Sequence, residues 1–367
     1  MPSSISSSDA REHEIHRAIP ERGWLGMAAT AAILAIAALI GWELHVRGRG
    51  YEPDYDNTPG LWVPLRAKAS GATREQIVLV GASRTLFDID LDVLQQATGG
   101  ARPLQLATVG SSPMPIFTHL AEDPTYAGTT IVGVVPGLLA APAGPPIETP
   151  KKFITKYENW SPADAWELPI SLWLQEHLAF IHEQDLRLPA LIGRIELKNR
   201  ANARVPPRLP PNLATIDLDR RVRMAEWART DEVYMREIQQ IWIPLFTPPA
   251  KPDVFTDEQW AKMFADAWDA ILVQAKANVE AITARGGRVI FVRHPSSGGV
   301  LELEEKYNPR AKFWDRLLEE TGAPGIYWAD YPELADFECP EWSHLSAADS
   351  VEYTKRLVAI LKRERLL

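Results

Sequence analysis

Residues 76–84 read QIVLVGASR, an apolar run followed at once by a glycine and a serine. A short aliphatic run bounded by a turn is typical of a strand that is covered on both faces. Four similar runs follow along the chain: residues 104–109 (LQLATV), 129–135 (TTIVGVV), 288–295 (RVIFVRHP) and 325–330 (GIYWAD). Five such strands alternating with helical segments predict an α/β fold with a five-stranded parallel sheet.

Helical patterns lie between these strands. A helix is predicted over residues 91–97, where two glycines end it, and a long amphipathic helix over 257–285. The last helix begins after Ser346, a suitable N-cap, with Asp349 in its first turn. In parallel sheets of this kind, binding and catalytic groups lie at the carboxyl ends of the strands.

The regular alternation is interrupted by an insertion, which we place at residues 140–255. Sixteen of the thirty prolines fall between Pro136 and Pro252, so strands and helices cannot alternate there without breaks. Helices are predicted around residues 172–183 and 225–241. These Trp-bearing helices could cover the mouth of an active site or lie on a membrane, or they could simply pack on the core.

The amino-terminal part carries a membrane signal. Residues 24–42 read WLGMAATAAILAIAALIGW, without charge or proline and with tryptophan at both ends. At about 1.5 Å per residue this run is roughly 28 Å long, close to the thickness of a bilayer core. We predict a disordered cytoplasmic segment at 1–23, a transmembrane helix at 24–44 and an irregular linker at 45–72. A buried core helix and a cleaved signal peptide are the alternatives.

Composition excludes several classes of protein. The net charge of −9, without a cluster of Lys or Arg, argues against a nucleic-acid partner. A single cysteine, Cys339, excludes an intramolecular disulfide and every multi-cysteine metal motif. We therefore expect neither a metal nor a cofactor.

Two strand ends and one late loop carry residues that could do chemistry. Ser83 lies in the turn after the first strand, where a nucleophilic hydroxyl could be presented beside a helix N-terminus, although such a serine is more often an N-cap. Gly110 follows the second strand and could offer a backbone N–H to a ligand, or be an ordinary turn glycine. His344 could accept a proton from Ser83, with Glu341 holding its imidazole.

Two arginines flank these positions. Arg84 is adjacent to Ser83, and Arg293 ends the fourth strand. Either could bind an anionic part of a substrate, and either could instead form a structural salt bridge.

The combination resembles the SGNH, or GDSL-type, hydrolase superfamily. The stretches that carry the resemblance are VLVGASR at 78–84, ATVGSSP at 107–113 and PEWSHLSAAD at 340–349. With an N-terminal anchor, the chain is similar to membrane-tethered SGNH-like proteins that act in the acylation of bacterial envelope polysaccharides. The resemblance implies a three-layer, flavodoxin-like SGNH domain over 73–367, with Ser83 and Gly110 supplying oxyanion N–H groups.

Two positions depart from the family pattern. The asparagine that follows the third strand in the family is absent, because this chain reads Val134-Val135-Pro136-Gly137 there. The oxyanion hole would then use backbone N–H groups alone or a different donor. In addition, Glu341 stands where the family has aspartate, and Asp330 and Asp336 are competing acids nearby.

The resemblance implies a serine esterase or O-acyltransferase that acts on an acyl ester, expected to be acetyl, of an envelope glycan or small molecule. Water as acceptor would make it an esterase, and a sugar hydroxyl a transferase. The alternative is a non-catalytic scaffold or glycan-binding accessory protein. By the same resemblance, the protein would cross the inner membrane once, place its α/β domain in the periplasm and have a membrane acyltransferase as a possible partner.

Overall fold

The computed structural model describes residues 23–181 and 213–367, together with Ile192. The chain forms two compact units that divide between Glu52 and Pro53. The predicted cytoplasmic segment 1–23 lies almost wholly outside the described residues, as does the end of the helix predicted over 172–183.

The first unit contains helix α1 (Trp24–Gly48), which is long and apolar enough to cross a membrane. The prediction of a helix at 24–44 was too short. The sequence continues as ELHVRG without a proline, and Arg47 pairs with Glu43 one turn earlier, so the helix extends into polar residues.

The second unit is built on a parallel sheet of five strands: β1 (Ile77–Val80), β2 (Leu104–Gln105), β3 (Thr129–Gly133), β6 (Arg288–Arg293) and β7 (Gly325–Tyr327). Their order is β2-β1-β3-β6-β7. The predicted α/β class and the five parallel strands are confirmed. All five strands are shorter than the predicted runs. β1 begins one residue later, at Ile77, and β6 ends before His294. β2 ends after Gln105, β3 before Val134 and β7 before Trp328, where a single turn of 3-10 helix follows.

Side chains of β1 show why the sheet is covered on both faces. Val78 and Val80 belong to one apolar cluster, and Ile77 and Leu79 belong to another, as expected for a strand whose side chains alternate. The helices that connect the strands and cover them are α3 (Ser83–Asp88), α4 (Leu91–Thr98), α5 (Met114–Ala121), α6 (Pro136–Leu139), α11 (Asp257–Ala284), α12 (Gly298–Tyr307), α13 (Arg310–Thr321), α14 (Pro332–Ala335) and α15 (Ala347–Arg363).

The prediction of an irregular linker over 45–72 is wrong. Helix α2 (Pro59–Ala69) occupies much of it, with Thr58 as N-cap and Pro59 at the first helical position, where a missing N–H costs nothing. The glycine and prolines suggested a loop. The helix forms nevertheless because its apolar residues, above all the fully buried Trp62, pack in the core.

The insertion contains more regular structure than predicted. It holds α7 (Pro145–Glu158), α8 (Pro162–His177), α9 (Glu226–Thr230) and α10 (Glu232–Phe246), and the single helix predicted over 225–241 is broken where Asp231 caps α10. An antiparallel hairpin of β4 (Ala214–Ile216) and β5 (Val222–Met224) was not predicted.

The hairpin is tied to the sheet by Arg220, a fully buried residue of its turn with a φ of 61°. The guanidinium donates to the carbonyls of Gln105 (2.6 Å) and Ala107 (2.7 Å) and to Asn57 Oδ1 (2.6 Å). Burial lowers the pKa of Arg220 to about 9. This contact satisfies carbonyl groups at the end of β2, which lies at an edge of the sheet.

The end of β3 approaches α3 so closely that Gly133 is required there. A methyl group on Gly133 would overlap Thr85 Oγ1 and lie 3.1 Å from His294 Nε2. We expect Gly133→Ala to reduce the free energy of unfolding by about 1–3 kcal/mol through overpacking. The loss should appear as a lower urea midpoint for the detergent-solubilised protein. Gly100→Ala is the matched control because its methyl would meet no atom closer than 3.8 Å.

Candidate functional site

Ser83 lies at the carboxyl end of β1, as the first residue of helix α3. The preceding Ala82 is extended and acts as the N-cap, so the chain turns sharply from strand to helix. Gly81 allows this turn because a methyl group there would overlap Thr85 Oγ1. Ser83 is only partly buried and remains accessible from outside.

His344 lies in the loop that precedes helix α15, and the loop is fixed at its far end. The Ser346 hydroxyl caps α15 by accepting from the Asp349 N–H at 3.1 Å. The Leu345 N–H donates to Asp88 Oδ1 at 3.0 Å, which joins the loop to the end of α3. Burial raises the pKa of Asp88 well above its usual value.

Three residues predicted from the sequence come together here. His344 Nε2 lies 2.7 Å from Ser83 Oγ, and His344 Nδ1 lies 2.9 Å from Glu341 Oε1. Glu341 Oε1 also accepts the backbone N–H of His344 at 2.5 Å. These distances suit proton transfer from the serine to an imidazole whose orientation a carboxylate fixes.

The geometry distinguishes the three acids near the loop. Glu341 is fully buried against His344. Asp330 instead forms a salt bridge with Arg310 at 2.5 Å, and Asp336 is exposed. Glutamate has a longer side chain than the aspartate of the family pattern. It can still contact His344 because the two residues are three positions apart in one tight loop.

This loop contains a residue in the left-handed region. Trp342 has a φ of 77°, which is uncommon for a residue with a side chain. Its indole lies against Gly298 and Gly299 at the start of α12, and a methyl group on Gly299 would approach it to 2.9 Å. The two glycines therefore accommodate the ring that holds the loop in this shape.

Sequence reasoning offered the insertion as a possible cover for the site, but it did not identify the residues that reach it. The Trp242 indole N–H of α10 donates to Glu341 Oε2, and its ring lies edge-on to His344 at 5.8 Å between centroids. About one turn earlier on α10, Gln239 Nε2 donates to the Pro340 carbonyl at 3.0 Å. The only available signal was the amphipathic pattern of the segment, which does not show where its tryptophan is directed.

The two arginines predicted to bind substrate are both buried. Arg84 pairs with Glu304 at 3.0 Å, and Arg293 pairs with the same carboxylate. Arg84 Nε also donates to the Ser343 carbonyl at 3.1 Å, so it links the residue after Ser83 to the residue before His344. This geometry favours the structural interpretation of both arginines over substrate binding.

Electrostatics keep Glu304 ionised despite its burial. Burial alone would raise its pKa, but the charges of Arg293 and Arg84 outweigh that effect and lower the pKa to about 2. The Ser296 hydroxyl adds a hydrogen bond at 2.8 Å.

Gly110 and the segment that lacks the asparagine follow β2 and β3, the two strands that flank β1 in the sheet. Gly110 is exposed with a φ of 62°, and its loop is joined to the Ser83 turn because the Thr108 N–H donates to the Gly81 carbonyl at 3.0 Å. The asparagine was expected at Val135 or Pro136, and a methyl group added to the next residue, Gly137, would lie 3.7 Å from the amide nitrogen of Asn308. A side-chain amide thus comes close to that position from another part of the chain.

Within residues 23–181 and 213–367, no group of three or more His, Cys, Asp or Glu side chains is arranged to hold a metal ion.

Comparisons of the chain with protein-family models, with curated proteins and with solved structures found no match.

Removal of the Trp242 N–H should lower the reactivity of Ser83 without abolishing it. We expect Trp242→Phe to slow the reaction of Ser83 with a fluorophosphonate about tenfold, because hydrogen bonds to charged groups contribute about 1.5–3 kcal/mol. Trp227→Phe is the matched control, since Trp227 is an exposed tryptophan of the same insertion. Equal rates for the two variants, with unchanged melting temperatures, would contradict a role for Trp242.

Loss of the Glu304 charge should destabilise the whole domain. We expect Glu304→Gln to cost about 3–5 kcal/mol at neutral pH, because two buried guanidinium groups lose their counter-charge. Since the folded pKa lies below the ordinary value of 4.5, this stabilisation is complete above pH 4.5 and declines as the pH falls toward 2. The difference between wild type and variant in urea unfolding should shrink over that range. The exposed neighbour, in Glu305→Gln, should have little effect at any pH.

Proposed function

We propose that this protein is a membrane-anchored serine esterase or O-acyltransferase of the SGNH type, with Ser83, His344 and Glu341 as its triad. The observation that carries the proposal is the pair of contacts on His344, at 2.7 Å to Ser83 Oγ and 2.9 Å to Glu341 Oε1. A serine is a poor nucleophile at its ordinary pKa and needs a base of this kind beside it.

The reaction would begin when Ser83 Oγ attacks the carbonyl carbon of an ester and its proton passes to His344 Nε2. The tetrahedral intermediate then collapses, the alcohol leaves with the proton from His344, and the acyl group stays on Ser83 as an ester. Water or a sugar hydroxyl attacks this acyl-enzyme, giving its proton to His344. Release of the acid or the new ester returns the proton to Ser83.

The negative charge on the carbonyl oxygen would be stabilised by backbone N–H groups of Ser83 and Gly110. The N–H of Ser83 is in the first turn of α3, where helical N–H groups have no partner within the helix. The Thr108–Gly81 hydrogen bond supports a position of Gly110 beside the same turn. The Asn308 amide is a candidate for the donor that the absent asparagine would supply.

The surroundings of the triad suit a reaction in a partly dry site. His344 and Glu341 are buried, whereas Ser83 is accessible. Phe87 packs on the imidazole with 4.5 Å between ring centroids, and Trp242 covers another side. Exclusion of water strengthens the electrostatic interactions on which the orientation of His344 depends.

The substrate class and location are proposed from the sequence resemblance together with α1. An acyl ester of an envelope glycan, expected to be acetyl, fits a tethered enzyme whose α/β domain lies in the periplasm. A transferase would receive its acyl group from a donor outside this chain, such as a membrane acyltransferase.

The decisive experiment is labelling of the solubilised full chain with a fluorophosphonate. We expect wild type to be labelled and to hydrolyse p-nitrophenyl acetate, and Ser83→Ala and His344→Ala to lose both activities by at least about a thousandfold. Ser70→Ala, which alters a serine bound to Asp123, should behave as wild type.

Absence of Ser83-dependent labelling in a folded protein would instead favour the non-catalytic scaffold or glycan-binding protein. Activity toward water alone, with no transfer when acetylated and free oligosaccharides are mixed, would identify an esterase. Faster loss of the acyl-enzyme on addition of free oligosaccharide, with a new glycan ester formed, would identify a transferase.

A further inference from the structure

Helix α8 carries apolar side chains on two sides, and the residues that the structure describes cover only one of them. On the inner side, Gln175 is buried and Leu172 packs against the cluster formed by α3, α10 and the hairpin. On the outer side, Trp166, Ile170 and Trp173 are 76%, 61% and 57% exposed. Their spacing of four and three residues places them in one stripe along the helix.

The chain that leaves α1 packs directly on α8. The Asp56 N–H donates to Gln175 Oε1 at 2.9 Å, and Gly60 lies against the side chain of Leu168. Asp56 is eight Cα–Cα steps along the chain from Gly48, the last residue of α1. A tether of this length reaches at most about 29 Å when fully extended, which is short enough to keep α8 near the surface of a membrane that α1 crosses.

The chemistry of the stripe indicates what could cover it. Tryptophan is enriched at membrane–water interfaces, where its ring is in contact with apolar chains and its N–H with water. Residues 162–177 contain no Lys or Arg, and Asp164, Glu167 and Glu176 make the helix acidic. Attraction to anionic lipids therefore cannot hold it, and only apolar contact can.

We propose that α8 is an interfacial helix whose stripe of Trp166, Ile170 and Trp173 is seated in the headgroup layer of the membrane that α1 crosses. The tether brings α8 to the membrane, and the stripe then fixes which side of the α/β domain faces the lipid. This inference depends on α1 spanning a membrane and not on the proposed enzymatic activity.

The test uses the full chain in nanodiscs of zwitterionic phosphatidylcholine, with the environment-sensitive dye NBD attached at Ile170→Cys. Native Cys339 is buried, and wild type treated in the same way controls for its labelling. Val273→Cys is the matched site, because Val273 is 71% exposed on α11, a helix of the core layer. Circular dichroism confirms that each variant is folded.

We expect lipids with a doxyl group near the headgroup to quench the dye at residue 170 at least about twice as strongly as at residue 273. Aqueous iodide should show the opposite order, and neither result should change between low and high salt. Equal doxyl quenching at the two sites would overturn the proposal. Protection of residue 170 from iodide without doxyl quenching would also overturn it, because protein would then cover the stripe.

Discussion

Glu304 is a buried carboxylate that neutralises two buried guanidinium groups, and the site is arranged around it. Transfer of three charges from water into a protein interior is costly, and the cost is offset only while all three remain paired. Arg84, which belongs to this cluster, is the residue beside Ser83, and its hydrogen bond to the Ser343 carbonyl connects the cluster to the loop of His344. The cluster thus opposes any separation of the serine from the histidine.

A second set of contacts, made by Trp342 and Leu345, also holds this loop. Trp342 is held in a left-handed conformation above two glycines, and Leu345 is bound to Asp88. Loops that carry functional groups usually move more than the elements they join, and this one is held at both ends. Because the strain at Trp342 and the burial of Asp88 both have a cost, the surrounding packing must supply the stabilisation that maintains the loop.

Sequence alone was sufficient for the elements with a strong periodic signal. The strand at β1, the long helix α11 and the cap of α15 at Ser346 could be predicted because aliphatic runs, amphipathic spacing and caps are local properties. Helix α2 could not be predicted, since its proline and glycine content indicates a loop and only tertiary burial of Trp62 outweighs it. The proximity of Ser83 to His344 was inferred from the order of motifs, whereas the Glu304 cluster and Trp242 depend on contacts between distant segments that no local pattern records.

The bond between Trp242 and Glu341 has an evolutionary consequence. An insertion that only decorates a fold can be lengthened, exchanged or lost while the ancestral core continues to work. Here a residue of the insertion donates a hydrogen bond to Glu341, the carboxylate of the proposed triad, so we expect the two segments not to diverge independently. Among relatives of this chain, a replacement of Trp242 by a residue without an N–H should be accompanied by a change at residue 341 or by a new donor on α10.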